Sequence, residues 1–160
     1  MLFLGKATAT IDDKRRIAVP AKFRAKHPAH NNAGEGDKPV WISVPWPDGP
    51  LIRLYPEPVF VRLAAQQEEA LTPDEDTAAI EQLFFSHAEE LEMDSAGRLR
   101  LPEQHVQLAR LGSDVTVLGV KNRLELHNRE TWEPGEAERF AQLPRVVARA
   151  DQRGKRESER

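Results

Sequence analysis

Two acid–base pairs share one spacing. Asp12 precedes Arg16 by four residues, and Asp94 precedes Arg98 by four. Each pair sits in the same frame: Ile11-Asp12-Asp13-Lys14-Arg15-Arg16-Ile17-Ala18-Val19-Pro20, then Met93-Asp94-Ser95-Ala96-Gly97-Arg98-Leu99-Arg100-Leu101-Pro102, 82 residues further on. A turn aspartate accepts local amide protons, and its charge orients a nearby guanidinium. An arginine at the exit of such a turn binds phosphate and can reach a guanine edge in the major groove. The plainer alternative is that each arginine only neutralises its own aspartate. Residue types alone leave the two readings level.

Charge distribution bears on the choice. The 160-residue chain has a net charge of −3. Between Lys6 and Lys26, however, Lys14, Arg15, Arg16, Lys22 and Arg24 are opposed only by Asp12 and Asp13. This is a basic patch on an acidic chain, the footprint of a phosphate-bearing partner.

Catalytic chemistry finds little support. His27, His30, His87, His105 and His127 show no recognised metal-ligand spacing, although His27 and His30 flank a loop. Gly34-Glu35-Gly36 is too short for a phosphate loop, and neither Gly-x-Ser-x-Gly nor His-Glu-x-x-His occurs. Glu89, Glu90, Glu92 and Asp94 are explained by alternation along a solvated strand. With no cysteine there is no disulfide framework, zinc-thiolate site or Cys nucleophile, which fits a reducing compartment. No apolar run is long enough for a membrane span. Met1 to Lys6 lacks a charged leader, so a cytoplasmic protein without cofactor, metal or small-molecule substrate is expected.

Several elements must position the paired charges. Leu2 to Ile11 reads as a strand, Asp12 to Arg15 as a turn, and Arg16 to Val19 as a return strand, together a hairpin. Alternation puts Ile17 and Val19 on one face and Arg16 and Ala18 on the other. In the second copy Leu99 and Leu101 oppose Arg98 and Arg100. Pro20 suits the first turn of a short helix, Ala21 to Lys26. Residues 29–39 read as a polar, mobile loop. Strands follow at Val40 to Val44 and Leu51 to Tyr55, then a helix over 56–70 with Phe60, Leu63 and Ala64 on one stripe. A further helix starts at a Thr72–Glu75 capping box and carries Ile80, Leu83 and Phe84 on one face.

The second half repeats the order. A strand at Ala88 to Met93 leads into the second turn. A helix from Glu103 ends at Gly112 as a left-handed stop, and strands follow at Val115 to Val120 and Leu124 to His127. The match between Trp132 and Phe60 has an offset of 72, which places extra residues of the first unit in the 29–39 loop. Pro134-Gly135 breaks the last helix, which restarts near Glu136. The charged end, 149–160, lacks apolar periodicity and is expected to be disordered. The expected organisation is therefore α+β, with two tandem β-α-β-β repeats at 1–70 and 71–148 packed as a pseudo-dimer.

The two Asp-x-x-x-Arg motifs carry a resemblance. Asp12 to Arg16 is followed by Ile17-Ala18-Val19-Pro20-Ala21-Lys22-Phe23-Arg24, and Asp94 to Arg98 by Leu99-Arg100-Leu101-Pro102. With Ser86-His87-Ala88-Glu89 after Phe84-Phe85, the run Leu118 to Leu126, and Trp132, the chain resembles the MraZ family over residues 1–133. That family belongs to the AbrB/SpoVT-like, swapped-hairpin class of bacterial DNA-binding proteins. The resemblance implies a swapped-hairpin, double-psi-like β-barrel with helices outside, assembled into a homo-oligomeric ring. It implies a nucleoid-associated regulator that binds direct repeats in double-stranded DNA upstream of its own gene, in the division and cell-wall gene cluster. Lys14, Arg15, Arg16, Arg24 and Arg98 would face DNA, while Asp12, Asp94 and Gly97 would shape the turns. The alternative is an oligomeric interaction protein of the same fold. One departure matters: Arg15 stands where the family's first motif usually has glycine. If that turn requires positive φ, a non-glycine costs roughly 1–2 kcal/mol there.

Overall fold

The structure is a computed structural model that describes residues 1–30 and 38–160. It divides into two units, Met1–Arg129 and Glu130–Arg160. The first unit is α+β, with antiparallel strands throughout. Its strands are β1 (Lys6–Thr10), β2 (Arg16–Ala18), β3 (Val40–Trp46), β4 (Leu51–Pro56), β5 (Glu89–Glu92), β6 (Arg98–Arg100), β7 (Asp114–Val120) and β8 (Arg123–Asn128). Its helices are α1 (Ala21–Arg24), α2 (Glu57–Ala65), α3 (Glu75–Ile80) and α4 (Glu103–Leu108), with a π-helical turn, Glu81–Phe85, continuing α3. A six-stranded sheet runs in the order β1-β7-β8-β4-β3-β5, and β2 pairs with β6 in a separate two-stranded ribbon. Among the described residues no pairing joins the two edges of the large sheet, so backbone hydrogen bonds do not close a barrel.

The expected hairpin over residues 2–20 is not formed as one. β1 pairs with β7 and β2 with β6; only an Ile11–Ile17 bridge joins the two across the turn. The reason is burial. A three-residue strand makes few ladder bonds, so its partner is chosen by what its apolar face can cover. Ile17 lies opposite Leu99 across the ribbon, and both are essentially inaccessible to water. They join Val19, Leu101, Leu54, Val117, Leu124 and Leu126 in one core, which also takes in Phe3, Phe23 and Trp41. The alternation read from sequence therefore holds, with Ile17, Val19, Leu99 and Leu101 inside. Gly119 adds a close approach, because a Cβ there would meet the backbone of Phe3 and Leu4.

Other boundaries differ in detail. α2 ends at Ala65 rather than near residue 70. The next helix is capped by Asp74, whose carboxylate accepts the Thr77 N–H at 2.8 Å, and not by Thr72. The left-handed residue after α4 is Arg110, with φ 51°, and not Gly112. The loop expected at 29–39 lies mostly outside the described residues.

The second unit also departs from expectation. α5 (Arg129–Ala141) runs through Pro134, and the break falls at Gln142. Pro144 then occupies the first turn of α6 (Leu143–Ser158), where its missing N–H is harmless. Residues expected to be disordered are thus helical. Leu143, Val146, Val147 and Ala150 recur at helical spacing, and Lys155 and Arg156 sit in the last turn, where positive charge suits the helix dipole. No helix among the described residues is long and apolar enough to cross a membrane.

Two buried histidines tie helices to the sheet. His105 on α4 has Nε2 2.7 Å from the His87 carbonyl and Nδ1 2.7 Å from the Ser43 hydroxyl. His27 has Nε2 2.9 Å from the Val40 carbonyl, and its Nδ1 accepts the Ala29 N–H. In each ring Nε2–H donates to a carbonyl, so the neutral tautomer leaves Nδ1 as an acceptor. Burial, the largest influence, holds both rings below the ordinary histidine range, against a smaller opposing pull from the His87 carbonyl and then Glu89 on His105, and from the Val40 carbonyl on His27. A lowered folded-state value means the unfolded chain takes up more protons once pH falls below about 6.5. Stability should be full above that pH and decline as pH drops through it. Thermal unfolding followed by circular dichroism should show a flat midpoint from pH 8 to 7, a falling one toward pH 5, and a shallower decline in His105→Gln.

Candidate nucleic-acid interface

The two turns have the same hydrogen bonds. Asp12 Oδ1 accepts the N–H groups of Lys14 (2.9 Å) and Arg16 (2.8 Å), and Oδ2 accepts Arg16 Nε at 2.8 Å. Asp94 Oδ1 accepts those of Ala96 and Arg98, both at 2.9 Å, and Oδ2 accepts Arg98 Nε at 2.9 Å. The Arg15 and Gly97 N–H groups donate to the Asp12 and Asp94 carbonyls. The arginine backbone N–H, first, and then its guanidinium hold each carboxyl below the usual aspartate range. The pairing of Arg16 with Asp12 and of Arg98 with Asp94 is therefore real. It uses only Nε, and the terminal amino groups take no acceptor among the described residues. An aspartate that fixes the guanidinium by one edge presents the other.

The turns are also locked to each other. Val19 N–H donates to the Gly97 carbonyl at 3.0 Å, and Leu101 N–H donates to the Arg15 carbonyl at 2.8 Å. These bonds extend the β2–β6 ribbon at both ends. In that ribbon Arg16 lies opposite Arg100, and Ala18 opposite Arg98. Three arginines thus share the outward face of a six-residue ribbon whose inward face is Ile17 and Leu99. Like charges directly across a ladder destabilise it, so this face favours an anion. A two-stranded ribbon is also one of the shapes the major groove admits.

The residues singled out in the sequence fall into two sets. Arg16 and Arg98 meet on the ribbon, with exposed Lys14 at the tip of the first turn. Arg15 turns inward instead: its Nε donates to the Leu101 carbonyl at 3.1 Å. Arg24, half-buried on α1, lies across Gly97, where any Cβ would collide with its guanidinium. Arg15 and Arg24 are thus committed in part to the turns. Arg100, exposed beside Arg16, belongs with the site and was not among the candidates. Alternation already put it on the face of Arg98; its neighbour Arg16 could come only from the cross-pairing.

Arg15 has φ 60° and Gly97 φ 75°, so both turns demand the left-handed region. Arginine pays the steric penalty at the first turn and recovers part of it through its bond to Leu101. Arg15→Gly should therefore leave stability within about 1 kcal/mol of wild type, as relief of roughly 1–2 kcal/mol of strain is offset by the lost hydrogen bond and greater unfolded-state freedom. Gly97→Ala should cost more, about 2 kcal/mol, because it adds the same strain and a collision with Arg24. Urea unfolding of the two variants checks the asymmetry.

Comparison with known proteins gives the family. Residues 84–154 match the family described as "MraZ protein, putative antitoxin-like". The chain is 36% identical to the transcriptional regulator MraZ of Chromobacterium violaceum, over 86% of this chain and 88% of that one. It is 34% identical to that of Bifidobacterium longum, over 86% and 85%. It is 30% identical to that of Desulforamulus reducens, over 91% and 95%. On identity at this level across most of both chains, this protein belongs to the MraZ family.

Proposed function

We propose that this chain is a DNA-binding transcriptional regulator that acts as a homo-oligomeric ring. The observation that carries the reading is the β2–β6 ribbon, with Arg16, Arg98 and Arg100 on one face and two aspartates orienting the first two. The name borne by its relatives, transcriptional regulator, supports it. Lys14 extends the face at one end, while Arg15, Arg24, Asp12, Asp94 and Gly97 keep the turns in shape. Arg16 and Arg98 reach base edges, and Arg100 and Lys14 neutralise phosphates. A ring offers several such ribbons to successive direct repeats upstream of the protein's own gene. Weak single contacts then add through effective concentration. Such a protein works in the cytoplasm, on the nucleoid.

The same reading treats the two halves as equivalent units of a pseudo-dimer. The ribbon register, Arg16 with Arg100 and Ala18 with Arg98, maps onto itself when the halves are exchanged. So does the β4–β8 register, with Ile52 opposite Leu126 and Leu54 opposite Leu124. The six-stranded sheet and the ribbon are then the two sides of an interleaved, barrel-like core.

The test is fluorescence anisotropy on duplex DNA from upstream of the gene, with a scrambled duplex as control and a salt series. Binding should prefer the native sequence, and log affinity should fall with log salt at about 0.9 per phosphate contact. Arg100→Ala should flatten that slope by about one contact. Arg16→Ala should abolish specific binding with the assembly mass unchanged. Equal affinity for both duplexes, with the oligomer intact, overturns the regulator in favour of an oligomeric interaction protein, a reading the net charge of −3 favours.

A further inference from the structure

Two apolar surfaces stay open to solvent, the first of them the outer side of a small core cluster in which Phe60, Leu63 and Phe84 pack against Ile42, Val44, Tyr55 and Val59. One lies in the first unit, between α2 and the π-helical turn. Phe60 stacks on Phe84 at 6.2 Å between ring centres and meets Phe85 edge-on at 6.0 Å. Together with Tyr55, Leu63 and Ile80 these rings line an open groove of about 330 Å³. Ile80 and Phe85 also wall an adjoining hollow, with Glu68, Glu69 and Glu81 along its edge. Ile80 is 58% exposed. The segment from Glu57 to Phe85 contains seven acidic residues and a single base, Arg62.

The other surface has the opposite charge. In the second unit α6 carries the stripe Leu143, Val146, Val147 and Ala150, and Val147 is 50% exposed. Along one side of the stripe, at spacings of four, four and three residues, run Arg145, Arg149, Arg153 and Arg156. The helix has five basic residues against two acidic ones, Asp151 and Glu157. An apolar groove with an acidic rim and an apolar helix with a basic flank are complementary in both respects.

We propose that α6 of one copy docks in the α2–α3 groove of a second copy and forms the joint of the ring. This rests on the ring reading above and names its contact. The chemistry of the joint fits that assembly. Groove and helix are different surfaces, so the contact is heterologous, and a heterologous contact repeated head to tail gives a ring when the rotation between copies closes and an open filament when it does not. The helix stripe meets the aromatic floor, and the arginines meet Glu68, Glu69 and Glu81. Each copy has one groove and one helix to offer, which leaves the β2–β6 ribbon outside the joint.

The experiment is native mass spectrometry of the full chain, with circular dichroism to confirm folding. Val147→Asp disables the helix and Ile80→Asp disables the groove; both side chains are at least half exposed, so the fold should tolerate them. Wild type should be a multi-subunit assembly that weakens as salt rises. Each variant alone should fall to one copy, 18.1 kDa for the wild-type chain. An equal mixture should form dimers, because each variant retains the surface the other has lost. A monomeric wild type overturns the ring itself. An oligomeric wild type with variants of unchanged mass overturns this joint alone, and so does a mixture that remains monomeric.

Discussion

The pairing of β2 with β6 is the contact on which the rest of the structure depends. Each strand has three residues, and neither has enough ladder bonds to persist alone. Together they bury Ile17 against Leu99, with Val19 and Leu101 closing the ends. Burying one such side chain contributes about 1.5–3 kcal/mol, so this small ribbon is held by its inward face. Its hydrogen bonds mainly fix the register. Because the two strands lie far apart in sequence, the pairing also ties the first turn to the second. Arg15 and Gly97 each give their carbonyl to the strand beyond the other turn.

The outward face follows from that constraint. Alternation sends every second residue of the ribbon away from the core, and those residues include three arginines. Two are held by aspartates that belong to the turns. Ion pairs this exposed contribute little to stability, up to about 1 kcal/mol. Their larger effect is on position: the carboxylate satisfies turn amides with one oxygen and anchors a guanidinium with the other. The structural and functional readings of Asp-x-x-x-Arg are therefore compatible. A guanidinium held in place loses less entropy on meeting a phosphate than a free one.

Charge on this chain is segregated rather than balanced. The ribbon and α6 are basic, while the region from α2 to the π-helical turn is acidic. The net charge of −3 is therefore a sum over surfaces of opposite sign, and the local field decides which surfaces attract which partners. In a ring, acidic and basic surfaces of neighbouring copies can neutralise one another and leave the ribbons as the dominant positive feature.

Much of this was determined by the sequence itself. The Asp-x-x-x-Arg turns, the alternation of Ile17, Val19, Leu99 and Leu101, and the strands at 40 and 51 are all local. They depend on period, turn chemistry and hydrogen bonds within a few residues, so the residues alone reveal them. Helix ends were less legible. Asp74 and Thr72 are both good caps, and α5 continues through Pro134, its sixth residue, so the break falls at Gln142 instead. The end of the chain is helical although its apolar stripe, Leu143, Val146 and Val147, is exposed, so a charged composition there does not exclude a helix. What the tertiary structure alone decided is which strand meets which. A three-residue strand has no strong preference for a sequence neighbour, and burial of its apolar face selected a partner 82 residues away. That choice brought Arg100 beside Arg16 and turned Arg15 inward, because the position of a charge on a surface is set by the core behind it.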